Sequence, residues 1–216
     1  MYLRKIGTVT FPKPMGININ MMPFVNGMRD SLPDELQSYL PLIDACKVNP
    51  STRGKIGYLS ISESFVLDGT QRRPGIHTEG YTTKDVRIGW GFGWGHGRVS
   101  KNKIFGGIYM ASNITNSCRA WNLSVTSSEL GNCEHLRSQL EEIPSTVFKK
   151  NILYWMTDRT PHESLPIKFC YRQWFRYIPG GVSAWYHEHS TANPLHIQPD
   201  CEIIYGSKFE KNMQIV

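Results

Sequence analysis

Alternation of apolar and polar residues dominates the second half of the chain, and helical spacing is confined to two short stretches. The first opens at Pro33 with two acids in its first turn. Ser31 is available as a cap, and apolar residues follow to Leu40, which predicts a short helix bracketed by Pro41 and Pro50. The second covers 131–143, with Asn132 as cap and Leu136, Leu140 and Ile143 on one face. The rest reads as strands. Residues 56–67 give β-type runs closed by the turn signal Asp68-Gly69, and 104–111 form a strand kinked at Gly106-Gly107. Val147-Phe148 leads into a strand over 151–156, and 167–178 is the longest strand, followed by a weaker one at 182–186. Along 167–178, Lys168, Cys170, Arg172, Trp174 and Arg176 share one face, and Phe169, Tyr171, Gln173, Phe175 and Tyr177 the other. Short helices ahead of many short strands predict a mainly β fold, a sandwich or barrel with helical buttresses.

Composition narrows the class. A chain of 216 residues, 40% hydrophobic and 19% charged, is one domain with a sizeable core rather than a disordered tail. The 19 Gly and 13 Pro favour a turn-rich β protein over a helix bundle. Net charge is +6, but the basic residues come singly or in pairs such as Arg72-Arg73, without the stripe that nucleic-acid binding requires. No apolar run reaches membrane-spanning length, and Met1–Gly7 lacks the apolar core of a secretory signal. Five dispersed cysteines with no CxxC pair read as free thiols, so a cytoplasmic location is expected.

Two histidines have neighbours that matter. In an extended segment His77 and Glu79 address one point, and an imidazole with a carboxylate supplies two of the three ligands of a non-haem Fe(II) site. His162 lies where a polar turn enters the next strand, and ten residues later Arg172 lies in a strongly β-forming run, where an inward guanidinium requires an anion. Rival features are weaker. His187-Glu-His189 is a cupin-like pair without the expected downstream acid. The cluster Gly89–Gly97 alternates glycine with aromatics, matches no phosphate loop, and suggests a packed loop or pocket rim. No G-x-S-x-G elbow is present.

The run Tyr154-Trp-Met-Thr-Asp-Arg-Thr-Pro-His-Glu-Ser-Leu-Pro166, followed by Tyr171-Arg172, resembles the C-terminal signature of the iron(II)/2-oxoglutarate-dependent dioxygenases, closest to the prolyl-hydroxylase branch. His77-Thr-Glu79 resembles the proximal metal pair, with Glu where Asp is usual, and Gly106–Met110 the intervening Gly-Gly strand. The resemblance covers about residues 55–180. It implies a double-stranded β-helix (jelly-roll) core with flanking α-helices, between an N-terminal helical or irregular extension (1–50) and a C-terminal extension (181–216). It further implies Fe(II) on His77, Glu79 and His162, and 2-oxoglutarate anchored by Arg172, with Tyr109 and Trp174 beside it and O₂ as co-substrate. Arg176 competes with Arg172 for the anchor. The implied reaction hydroxylates a peptide or protein side chain or a small metabolite, releasing succinate and CO₂. The alternative is a jelly-roll binding module that takes an acidic or glycan ligand.

Overall fold

The computed structural model describes residues 1–80 and 93–206, so Gly89–Phe92 of the glycine cluster and the last ten residues of the C-terminal extension lie outside the described residues. The strands in chain order are β1 (Leu3–Thr8), β2 (Asn18–Val25), β3 (Ile56–Gly69), β4 (Arg98–Ser100), β5 (Lys103–Phe105), β6 (Ile108–Ser112) and β7 (Cys118–Ala120). They continue as β8 (Thr146–Val147), β9 (Ile152–Met156), β10 (His162–Ser164), β11 (Ile167–Ile178), β12 (Ala184–Tyr186) and β13 (Glu202–Ile204). Six form an antiparallel sheet in the order β1-β9-β6-β11-β3-β2, and β10-β7-β8 form a smaller one. An antiparallel bridge between His77 and His162 adds the His77 segment to the free edge of β10.

From β3 onward the chain crosses between the sheets: β3 large, His77 small, β6 large, β7 and β8 small, β9 large, β10 small, β11 large. That winding is the jelly roll the resemblance implied. Its spine is the β3–β11 pair, in register from Ile167↔Gly69 to Ile178↔Tyr58. One face of this pair is the main core, where Leu59, Ile61, Phe175 and Tyr177 pack with Phe24, Leu36, Tyr39 and Leu42. Full burial of each such side chain stabilises the fold by roughly 1.5–3 kcal/mol. The opposite face looks across to the small sheet. There Ser64, Ser62 and Ser60 on β3 stand opposite Arg172, Trp174 and Arg176 on β11, and their short side chains leave room for a cavity.

Residues 1–50 are not a helical preface. They supply β1 and β2, the two edges of the large sheet. Their longest helical stretch is a 3₁₀ turn, Asp34–Tyr39, running into α1 (Leu40–Ala45). Ser31 caps neither element, because its hydroxyl accepts from Val25 N at 2.9 Å and ties the turn to β2. The second helix is also shorter than its spacing predicts. Asn132 Oδ1 accepts from Glu134 N at 2.8 Å, a 3₁₀ turn follows, and only α2 (Arg137–Glu141) is α-helical. Ile143 lies beyond it and is exposed. The kink at Gly106-Gly107 divides the expected strand into β5 and β6; both residues have positive φ, 55° and 81°. A methyl group on Gly107 would meet Met156 O at 2.8 Å, so this close approach needs glycine.

Candidate metal centre

Pairing with β10 holds the His77 segment extended. His77 N donates to His162 O at 2.9 Å, His162 N donates back to His77 O at 3.0 Å, and Glu79 N donates to Asp158 O at 2.9 Å. His77 and Glu79 therefore point to one side, and Thr78, between them, is buried on the other. The ligand atoms of His77, Glu79 and His162 lie within 4.8 Å of one another, and all three side chains are buried. Donors held about 2.1 Å from one ion are at most about 4.2 Å apart, so a small side-chain movement closes a metal site.

The donor chemistry fits. His77 Nδ1 faces Gly75 O at 2.8 Å and His162 Nδ1 faces Thr160 O at 3.0 Å. A carbonyl only accepts, so both rings carry their proton on Nδ1 and present the Nε2 lone pair, as metal-ligating imidazoles do. Burial lowers the pKa of both rings, and the neighbouring His162 adds to this at His77, so both imidazoles are neutral at pH 7. Arg176 Nη1 donates to Glu79 Oε1 at 2.8 Å and fixes that side chain within the cluster.

These residues line a cavity of about 290 Å³ between the sheets, together with Arg172, Trp174 and Arg176 of β11. Arg172 is 1% exposed. Its Nε donates to Ser112 Oγ at 3.3 Å, and its Nη1 has no hydrogen-bond partner among the described residues. Ser164 Oγ, buried in the same cavity, has none either. Burial lowers the Arg172 pKa from 12.5 to about 10. A buried cation with no acid partner among the described residues calls for an anionic ligand.

Trp174 lines the cavity, but Tyr109 does not. In the β6–β11 register Tyr109 stands opposite Tyr177, on the core face, and its hydroxyl donates to Lys47 O at 2.8 Å. The adjacent Met110 faces the cavity in its place. Arg176 Nη1 is paired with Glu79, while its Nε, like Arg172 Nη1, has no hydrogen-bond partner among the described residues. Of the cupin-like pair, His189 reaches the cavity rim and His187 is exposed. Trp94, from the described part of the glycine cluster, also lines the cavity, as expected for a rim loop. Sequence reasoning missed Arg72, Asn20 and Ser164. Ser164 follows His162 by two residues on one strand face, a signal that was available; Asn20 lies on β2, which was not anticipated.

No protein-family model matches the chain, and no curated protein matches it. Among solved structures it is similar to HygX from Streptomyces hygroscopicus with iron bound, at 13% identity and a TM-score of 0.28, covering 63% of this chain and 62% of HygX. With nickel and 2-oxoglutarate bound, HygX gives 12% identity and 0.26 over 64% of this chain and 62% of HygX; apo HygX gives 12% and 0.29 over 70% and 67%. In the first two, the chain thus spans less than two thirds of HygX.

Proposed function

We propose that this chain is an iron(II)- and 2-oxoglutarate-dependent oxygenase that hydroxylates a peptide side chain or a small metabolite, as the prolyl-hydroxylase-like run around His162 suggests. One observation carries the proposal: three buried side chains able to ligate a metal share a cavity with a buried arginine whose Nη1 has no partner among the described residues. His77 and His162 would hold the metal through Nε2, with Glu79 as the carboxylate ligand. Arg172 would take the far carboxylate of 2-oxoglutarate, and Ser164 Oγ is available as a second donor. Trp174 and Trp94 form apolar wall that limits water at the site. Bound iron would supply the oxidation, in which 2-oxoglutarate and O₂ give succinate and CO₂ while one oxygen atom enters a substrate C–H bond.

The test is succinate formation from 2-oxoglutarate by purified protein, with and without Fe(II). Iron-dependent succinate that disappears in His162→Ala supports the reading, and its absence in iron-reconstituted protein overturns it. The excess of arginines over acids in the cavity favours a second reading, a non-catalytic module for an acidic ligand. Anion binding that ignores both metal and His162→Ala would select it.

A further inference from the structure

Resting on this reading, we infer that the primary substrate carries an oxyanion group, a carboxylate or phosphate, bound by Arg72 in the same cavity. Among the described residues, four arginines line the cavity, Arg72, Arg73, Arg172 and Arg176, against one acid, Glu79. Arg176 is paired with Glu79, and Arg172 is the anchor for 2-oxoglutarate. A divalent metal adds two positive charges, and doubly charged 2-oxoglutarate removes only two. The loaded site therefore keeps its surplus of positive charge, centred on Arg72 and Arg73.

Arg73 is partly engaged, since its Nη1 donates to Leu130 O at 2.8 Å. Arg72 is the better receptor. Its guanidinium lies over the Trp174 ring, 4.3 Å from the centroid, while Arg176 sits 5.3 Å from the same ring. Arg72 Nη2 and Arg176 Nη2 both donate to Asn20 Oδ1, at 3.2 and 3.3 Å. The neutral Asn20 amide and the Trp174 face thus hold two like charges together, and no carboxylate among the described residues forms an ion pair with Arg72. Burial and the Arg176 charge lower its pKa to about 9, in keeping with a cation crowded by another cation. Stacking on Trp174 fixes the guanidinium plane and leaves its edge to meet an oxyanion in the plane. Asn20 and His189 line the same cavity as Arg72. The cavity is at the small end of ligand sites, so it suits a small anionic molecule or one acidic side chain.

The experiment uses the full chain loaded with Mn(II) and saturated with 2-oxoglutarate, which occupies Arg172. Inorganic phosphate and benzoate are then titrated separately, to distinguish phosphate from carboxylate recognition. Wild type should bind at least one of them, Arg72→Met should weaken that binding about ten- to hundredfold, and Arg72→Lys should retain part of it. Affinity for 2-oxoglutarate should stay within about threefold in both variants. In wild type alone, bound phosphate should show phosphorus relaxation enhanced by the manganese, a measurement independent of how any variant folds. Failure of both probes to bind wild type, or equal binding by wild type and Arg72→Met, overturns the inference. If 2-oxoglutarate itself does not bind, the oxygenase reading fails instead. The Arg72 site is then judged by the same phosphate and benzoate titrations on metal-free protein.

Discussion

Replacing Arg172 with methionine should make the ligand-free protein more stable and unable to respond to 2-oxoglutarate. This guanidinium is 1% exposed and, among the described residues, makes a single long hydrogen bond, 3.3 Å to Ser112. Burial brings its pKa to about 10 instead of 12.5. Each tenfold change is worth about 1.4 kcal/mol, so keeping this cation in the fold costs about 3 kcal/mol. The folded pKa is the lower one, so the unfolded chain holds the proton more tightly. Both states are protonated below pH 10, and the penalty is therefore constant across the neutral range. Arg172→Met keeps an unbranched apolar stem beside Cys118 and Met110, and Ser112 Oγ still accepts from Ile114 N at 3.2 Å. Recovering about 1–3 kcal/mol raises Tm by about 3–9 °C in a chain of this size. With Mn(II) present, 2-oxoglutarate at about 100 times Kd adds about 2.7 kcal/mol to wild type and nothing to the variant. Scanning calorimetry with and without the acid measures both effects. A variant that melts lower than wild type without ligand, or that keeps the ligand-dependent rise, refutes the reasoning.

Three further outcomes are expected. Arg172→Lys should lose about 2–4 kcal/mol of 2-oxoglutarate affinity by titration, about 30- to 1000-fold, whereas Arg176→Lys should instead weaken metal binding about 10- to 100-fold through Glu79. Glu63→Gln should cost about 2–4 kcal/mol in denaturant unfolding, because that buried carboxylate accepts from Tyr39 Oη at 2.7 Å, Gln173 Nε2 at 2.9 Å and the Met15 and Ile17 amides at 2.7 and 2.9 Å. Burial opposes ionisation, but these bonds prevail and lower the Glu63 pKa; its contribution is complete above the ordinary glutamate pKa and is lost as pH falls through the lower folded value, a dependence Glu63→Gln should lack. Gly107→Ala should lose about 1–3 kcal/mol from backbone strain at φ 81° and more from the clash with Met156 O, read as a lower Tm.

The strands were legible wherever alternation was clean. The two faces of 167–178 are those of β11, with Arg172, Trp174 and Arg176 on the cavity and Phe175 and Tyr177 in the core. His77, Glu79 and His162 also converge as their spacing and the family resemblance implied. Tyr109 was misplaced because the resemblance offered a strand but not its facing, which is set by pairing with Tyr177. β1 and β2 were missed because edge strands with mixed patterns such as Leu3–Thr8, half exposed along their length, carry little periodicity. Charge surplus in the cavity was invisible because Arg72 meets Trp174 and Asn20 only through tertiary contact, more than fifty residues away along the chain on either side.

The proposed oxygenase function requires one metal ion, held by His77, Glu79 and His162, to create a 2-oxoglutarate site facing Arg172. The most direct measurement is calorimetric titration of 2-oxoglutarate into the protein, metal-free and loaded anaerobically with Fe(II). We expect about one 2-oxoglutarate per chain with iron present, at least tenfold weaker binding without it, and no iron-dependent gain in His162→Ala. Equal binding with and without iron, or no binding to the iron-loaded wild type, would contradict the account.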